Sequence, residues 1–233
     1  MFEAVKSAWR EFGVGGGTIY LIDQALLRLG PNTRLQFYEL MIQPIPEEPL
    51  IAERFTRSLS YREIVEGAPE VASMPAREDI KAARFANGSL CLGTYKGDEL
   101  IGYMWFAFER YHEDEVRCIF ELNPPREAVF DYDFYLFPKH RMGLGFISMW
   151  DGANRFLRER GVRYTYSRLT RFNTASRKAH DHLGWKRLGR AVFLKLWGFE
   201  LMVSDVRPRL NVSLSSRKPV HISLQPDALT ASS

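Results

Sequence analysis

Three groups of residues in this 233-residue chain have types and spacings suited to chemistry. The first is Phe137-Pro-Lys-His-Arg-Met-Gly-Leu-Gly-Phe146, where an aromatic and aliphatic run stops at Pro138 and a G-x-G pair opens a helical pattern. A strand, a short glycine loop and a helix start aim free backbone N–H groups at one point, and a phosphate is the ligand such groups hold best. Lys139, His140 and Arg141 add positive charge at the same edge. The second group is Asn173 and His180, seven residues apart and so on one face of a helix. The third is the pair Asp131 and Asp133, which with Tyr135 alternates along the strand that feeds the loop. Strict alternation would place all three on one face. Carboxylates inside an apolar strand are costly unless they are paired or face a cleft. Glu109, at the end of the preceding hairpin, is a second candidate carboxylate.

The elements around these groups can be read in order. Residues 1–33 carry two short amphipathic helices, Phe2 to Phe12 and Ile19 to Leu29, hinged at the cluster Gly13-Val-Gly-Gly-Gly17. No Gly-Lys-Ser/Thr follows that cluster, so it is not a P-loop. Alternation over Arg34 to Ile42 predicts a strand, and helices are expected around Arg54 to Glu66 and Arg77 to Asn87. Ser89 to Tyr95 and Leu100 to Phe108 read as a hairpin turned at Gly97-Asp98, and Ala128 to Phe137 as a further strand. Phe146, Met149, Trp150, Ala153, Phe156 and Leu157 recur at helical spacing up to Gly161. A strand over Val162 to Leu169, a helix from Asn173 to Leu183, and two strands, Trp185 to Arg190 and Ala191 to Val203, follow. The remaining residues, 204–233, are Ser- and Pro-rich and are expected to form a mobile tail. This order predicts an α/β (α+β) fold: one domain over residues 34–203 with a mixed central sheet flanked by helices, and 1–33 as a helical extension.

Composition narrows the partners. Residues 138–219 hold 18 Lys and Arg against 5 Asp and Glu, a net of +13, and the remainder has 14 against 23, a net of −9. Basic charge on the half that bears the glycine loop suits a polyanionic small ligand, and it would also suit nucleic acid. Arg155, Arg158, Arg163, Arg168 and Arg171 near Tyr164, Tyr166 and Phe172 form the mixture that can stack on and neutralise a single strand. Two cysteines, Cys91 and Cys118, make neither a disulfide framework nor a metal site, and Cys91 reads as a small core residue. No apolar run approaches the roughly 20 residues that span a bilayer. The N-terminal stretch carries Glu3 and Glu11 and lacks a signal-peptide pattern, so a cytoplasmic location is expected. Trp9, Phe12 and Tyr20 leave open a peripheral membrane contact through residues 1–30, against packing on the main domain.

His140-Arg-Met-Gly-Leu-Gly145, then a helix, a strand and the segment from Asn173 to Leu183-Gly184-Trp185, resembles the signature of the GNAT superfamily of acyl-CoA-dependent N-acyltransferases. The resemblance covers roughly residues 75–203 and is strongest over 134–190; Gly93 to Tyr103 also looks like that family's second and third strands. It implies acetyl-CoA as co-substrate, no metal, and an amine acceptor such as an amino sugar, a small amine or a protein. By position, backbone groups at Leu136 and Phe137 would bind pantetheine. Those from Arg141 through Met142, Gly143, Leu144, Gly145 and Phe146 would cradle the pyrophosphate, and Asn173 would approach the pantetheine arm.

Two departures from the signature stand out. Its first residue is His140 where the family has Gln or Arg; aligned from Pro138, Arg141 takes that place and the loop is one residue short. His180 stands where many members carry a tyrosine that protonates the departing thiolate, which keeps a proton donor but a partly charged one. For a base that neutralises the amine, Asp133 is the first choice and Glu109 the second. A nucleic-acid-binding module and a catalytically silent CoA-binding sensor are the competing readings.

Overall fold

The computed structural model describes residues 2–30, 32–170, 173–181, 183–214 and 218–226. In chain order the elements are α1 (Phe2–Leu27), β1 (Thr33–Pro44), β2 (Leu59–Ile64), α2 (Glu78–Ala86), β3 (Leu90–Lys96) and β4 (Glu99–Phe108). They continue with β5 (Arg110–His112), β6 (Cys118–Leu122), β7 (Ala128–Leu136), α3 (Gly145–Arg158), β8 (Tyr164–Thr170) and α4 (Thr174–Asp181). The last four are β9 (Lys186–Leu196), β10 (Phe199–Ser204), β11 (Leu210–Ser213) and β12 (Val220–Leu224). This is a mixed α/β fold. The chain divides into two compact units: Gln43–Tyr111 with Leu122–Ser167, and Met1–Ile42 with His112–Glu121 and Arg168–Ser233.

The first of these units holds a mixed sheet. β2, β3, β4 and β7 pair antiparallel in that order, and β8 joins β7 in parallel. One face is covered by an aromatic core in which Ile64, Met74, Cys91, Tyr95, Tyr103 and Trp105 are buried, with Phe85, Tyr132 and Tyr135 packed against them. α3 turns Met149, Trp150, Ala153 and Leu157 inward, the stripe its 3.6-residue spacing requires. Cys91 is a free, buried thiol in that core, and burial pushes its pKa up.

The second unit is built on β1, which pairs antiparallel with β9, followed by β10 and β11. In α1 the helical backbone breaks at Gly13 (φ 71°, ψ 168°), the hinge expected from the glycine cluster. Asp23 of α1 is buried and accepts the Leu35 N–H at 2.9 Å, which ties the helix to the start of β1. No helix among the described residues is long and apolar enough to cross a membrane.

Three local expectations differ from what is observed. The helix expected over Arg54 to Glu66 is a short 3-10 turn (Glu53–Phe55) followed by β2. Leu59-Ser-Tyr-Arg-Glu-Ile64 alternates between the two faces, and its pairing with β3 outweighs local helix propensity. The last two long strands break at Trp197-Gly198, later than the expected break after Arg190, because β9 runs on to match the full length of β1. The segment expected as a mobile tail contains β11 and β12: β11 pairs with β10, and Val220 N–H bonds the Arg117 carbonyl at 2.9 Å. Its last residues, 227–233, lie outside the described residues.

Candidate functional site

The strand that leads to the glycine loop carries an extra residue. Across β4 and β7, Trp105 is opposite Asp133 and Phe106 is opposite Asp131, so Tyr132 is the extra residue of the ladder and β7 bulges there. The parallel ladder between β7 and β8 runs from Ala128 with Tyr164 to Asp131 with Ser167 and stops. β7 continues to Leu136 on β4 alone. The bulge and the end of the ladder therefore coincide, and the edge of β7 beyond Asp131 is released from strand pairing on one side. The Phe137 N–H is bonded to the Ile101 carbonyl at 3.0 Å, so alternation turns the backbone groups of Phe134 and Leu136 toward the released edge. Of the two positions expected to bind pantetheine, Leu136 turns its backbone groups to the released edge and Phe137 turns its N–H to β4.

The loop that follows is a 3-10 turn, Pro138–His140, leading into α3. The Arg141 N–H bonds the Pro138 carbonyl at 3.3 Å, and the first α3 bond runs from Ser148 N–H to the Leu144 carbonyl at 2.9 Å. Among the described residues the N–H groups of Met142 through Ile147 bond no backbone carbonyl outside the helix. Gly143 sits at φ +80°, where a side chain would be strained, and a Cβ on Gly145 would lie 2.4 Å from the His140 carbonyl oxygen and 2.9 Å from Leu136. The two glycines do different jobs: one turns the chain, the other lets the helix start press against the end of β7.

The basic residues beside the loop are committed to the protein. Lys139 and His140 both turn to Glu99, with His140 Nε2 at 3.1 Å, and their hydrogen bonds hold the Glu99 carboxyl below its ordinary pKa. Arg141 Nε donates to the Leu136 carbonyl at 2.8 Å, and its guanidinium lies 5.5 Å from the Tyr135 ring centroid. Arg141 thus caps the strand that leads into the loop.

The candidate carboxylates are separated by the bulge. Directly opposite residues share a face, so Asp133 lies on the face of Trp105 and Asp131 on the face of Phe106, opposite sides of the sheet. The expectation that Asp131, Asp133 and Tyr135 share one face fails at Tyr132. Asp133 is bonded to Arg84 of α2 at 2.5 Å, and that guanidinium stands 5.3 Å from the Trp105 ring and 5.1 Å from the Tyr132 ring. Asp133 Oδ2 is thereby committed to the guanidinium. Arg84 was invisible in the sequence because 49 positions separate it from Asp133 and nothing in its helix marks it.

Asp131 is 4% exposed, and among the described residues its Oδ1 has no hydrogen-bond partner. Ser167 Oγ donates to its backbone carbonyl at 2.9 Å and stands 3.5 Å from Oδ2. Burial first, then the Asp133 charge, pushes the Asp131 carboxyl up to about 8. Glu109 is exposed, at φ 61° just past β4. β4 and β7 run antiparallel, so Glu109 lies four residues beyond Trp105, about 13 Å from the Asp133 level at roughly 3.3 Å per residue and away from the loop. The structure does not bring it to the glycine loop.

The Asn173 helix belongs to the other unit. Asn173 is exposed, and its carbonyl accepts the Arg177 N–H at 3.1 Å, the backbone position of an N-cap. His180 is 6% exposed, its ring edge-on to Trp185 at 5.0 Å between centroids. The two residues do not share an exposed helix face, since one meets solvent and the other is packed inside its unit.

The arginines that suggested nucleic acid are mostly engaged. Arg158 donates to the Pro46 carbonyl at 2.7 Å, Arg163 pairs with Glu127 at 2.9 Å, and Arg168 makes two 2.6 Å bonds to buried Glu113. Tyr166 is fully buried and cannot stack on a base. Arg171 and Phe172 lie outside the described residues.

No protein-family model matches the chain, and no curated protein matches it. Several solved structures are similar. A tandem GNAT protein from the clavulanic acid biosynthesis pathway shares 13% identity at a TM-score of 0.48, over 70% of this chain and 53% of its own. A GCN5-related glucosamine N-acetyltransferase region of a fungal multi-domain GH3 beta-N-acetylglucosaminidase shares 12% at 0.48, over 72% of this chain and 22% of its own. A putative GNAT-family acetyltransferase from Novosphingobium aromaticivorans shares 14% at 0.41, over 70% and 66%. The chain thus spans about half of the first of these and a fifth of the second.

Proposed function

We propose that this chain is an acyl-CoA-dependent N-acyltransferase that moves an acetyl group from acetyl-CoA to an amine. The observation that carries the reading is the coincidence, within one unit, of the Tyr132 bulge, the end of the β7–β8 ladder after Asp131, and the glycine loop that follows β7. A released strand edge presents alternating N–H and C=O groups to an extended amide-containing chain, as a missing strand would. The pantetheine arm of CoA is such a chain. Five residues further on, the N–H groups ahead of the α3 ladder supply donors and a partial positive charge for its pyrophosphate.

Acetyl-CoA supplies a thioester carbonyl, and the chain supplies position and polarisation. In this reading an N–H on the released edge, at Phe134 or Leu136, donates to the carbonyl oxygen as negative charge develops there. One such donor contributes about 3–4 kcal/mol of barrier lowering. The acceptor must present a neutral amine, which attacks the carbonyl carbon; the C–S bond breaks and the thiolate leaves. Asp133 has its Oδ2 committed to Arg84, and the Asp131 carboxyl, pushed up to about 8 by burial, holds its proton at neutral pH. Asp133 therefore acts as an electrostatic partner of Arg84, and the amine loses its proton to water. His180, buried on Trp185, is proposed as the proton donor to sulfur.

A free-thiol assay tests this. The full chain with acetyl-CoA and a panel of amino sugars, polyamines and peptides should release CoA with at least one acceptor. Acetyl-CoA bound without turnover on any amine would support a sensor instead, and no interaction with acetyl-CoA would end the proposal.

A further inference from the structure

The turn between β9 and β10 is built the wrong way round for stability. Leu196 pairs with Phe199, so Trp197 and Gly198 are the two central residues of a hairpin. Positive φ falls on Trp197, at 51°, while Gly198 lies outside the left-handed region. A two-residue hairpin with positive φ at its first central position normally carries glycine there. In this chain a bulky side chain occupies the glycine position and glycine occupies the tolerant one. The Trp197 N–H bonds the Asn32 carbonyl at 3.0 Å, which fixes the turn. The strain brings no burial in return, since the indole is 63% exposed. Backbone strain of this kind clusters at active sites, ligand clamps and switch regions.

The indole lines an open groove of about 510 Å³, within the size range of ordinary ligand pockets, roughly 300–1,000 Å³. All of it lies in the β1-containing unit. Its polar lining is mixed in charge: Asn32, His112, Asp114, Glu115 and Lys195 stand around Trp197, with Arg117, whose guanidinium donates to the Gly198 carbonyl at 2.8 Å. One wall is stiffened from beneath. Glu113 is buried and holds Arg168 through two 2.6 Å bonds, and Glu115 accepts the Tyr38 hydroxyl at 2.8 Å.

The mixture selects the ligand. Asp114 and Glu115 oppose a phosphate or carboxylate, and Lys195 opposes a simple cation. A neutral molecule whose neighbouring hydroxyls both donate and accept satisfies carboxylate, amide and ammonium at once. If it also has a flat C–H face, that face packs on the indole. A sugar ring has both properties. We infer that this groove is a carbohydrate-binding site in which Trp197 is the stacking platform and Asp114, Glu115, Lys195 and Asn32 hold hydroxyl groups. The site is independent of the acyl-transfer reading, and its test reads binding and stability, never turnover.

The full chain is titrated with methyl glucoside, N-acetylglucosamine, cellobiose, maltose and chitobiose, followed by calorimetry and tryptophan fluorescence, with spermidine as a cationic control. At least one sugar should saturate the signal, Trp197→Phe should keep that affinity within a few fold, and Trp197→Ala should weaken it at least tenfold. Trp197→Gly separates this from a structural role: it should abolish binding while raising the unfolding midpoint by about 2–4 °C, because it relieves the turn. Saturation by no sugar, saturation by spermidine alone, unchanged affinity in Trp197→Ala, or a lowered midpoint in Trp197→Gly would each overturn the inference.

Discussion

Asp131 and Asp133, two residues apart in one strand, point to opposite faces of their sheet. Tyr132 is the extra residue of a bulge and inverts the alternation between them. One carboxyl is sealed among Phe106, Ser167 and the sheet interior, and the other is clamped by Arg84. Their chemistry differs accordingly, and so do the outcomes expected when each is changed.

For Asp131 the observable is stability against pH. Its folded pKa, about 8, lies above the unfolded value of 3.8, so the folded state holds a proton the unfolded state has lost. Its contribution is complete below about pH 4 and is lost as pH rises through 8, with a slope of up to about 1.4 kcal/mol per pH unit. Asp131→Asn, uncharged and nearly isosteric, should flatten the fall in stability between these limits. Urea unfolding at a series of pH values measures it, and an unchanged slope would show that Asp131 is ionised in the folded protein.

For Asp133 the expected effect is structural. Arg84 has a side chain only 14% exposed, so Asp133→Ala leaves its charge without its carboxylate and should cost roughly 3 kcal/mol. The double change Arg84→Met with Asp133→Leu should recover much of that loss. If Asp133 were a general base, Asp133→Asn would remove an acidic limb from the rate–pH profile. The paired geometry predicts that the profile keeps its shape.

Gly145→Ala probes the loop. The added methyl meets the His140 carbonyl and Leu136, so the helix start must move away from β7. The Michaelis constant for acetyl-CoA should rise at least tenfold, with the acceptor constant little changed. Gly143→Ala, which strains the turn without a clash, should have a smaller effect of about 1 kcal/mol on stability.

The sequence carried the local features and missed the long-range ones. The α3 stripe, the Gly97-Asp98 hairpin, the hinge at Gly13 and the loop before α3 all depend on spacing within a few residues, and each could be read. The bulge could not be read. Phe130-Asp-Tyr-Asp-Phe134 alternates strictly between an aromatic residue and Asp, which reads as a regular strand, so the extra residue leaves no trace in the pattern. The Arg84–Asp133 pair and the burial of His180 likewise depend on which elements meet, which no periodicity encodes. The β2 segment reads as helical in isolation because its strand character comes from β3 beside it.

Equilibrium binding of acetyl-CoA to the full chain, compared between the wild type and Gly145→Ala, tests the central claim most directly. If the released edge of β7 and the glycine loop hold CoA, the wild type binds in the micromolar range and the variant at least tenfold more weakly, while desulfo-CoA, lacking the thioester, still binds the wild type. Failure of the wild type to bind acetyl-CoA at millimolar concentration, or equal binding by the variant, would contradict the account.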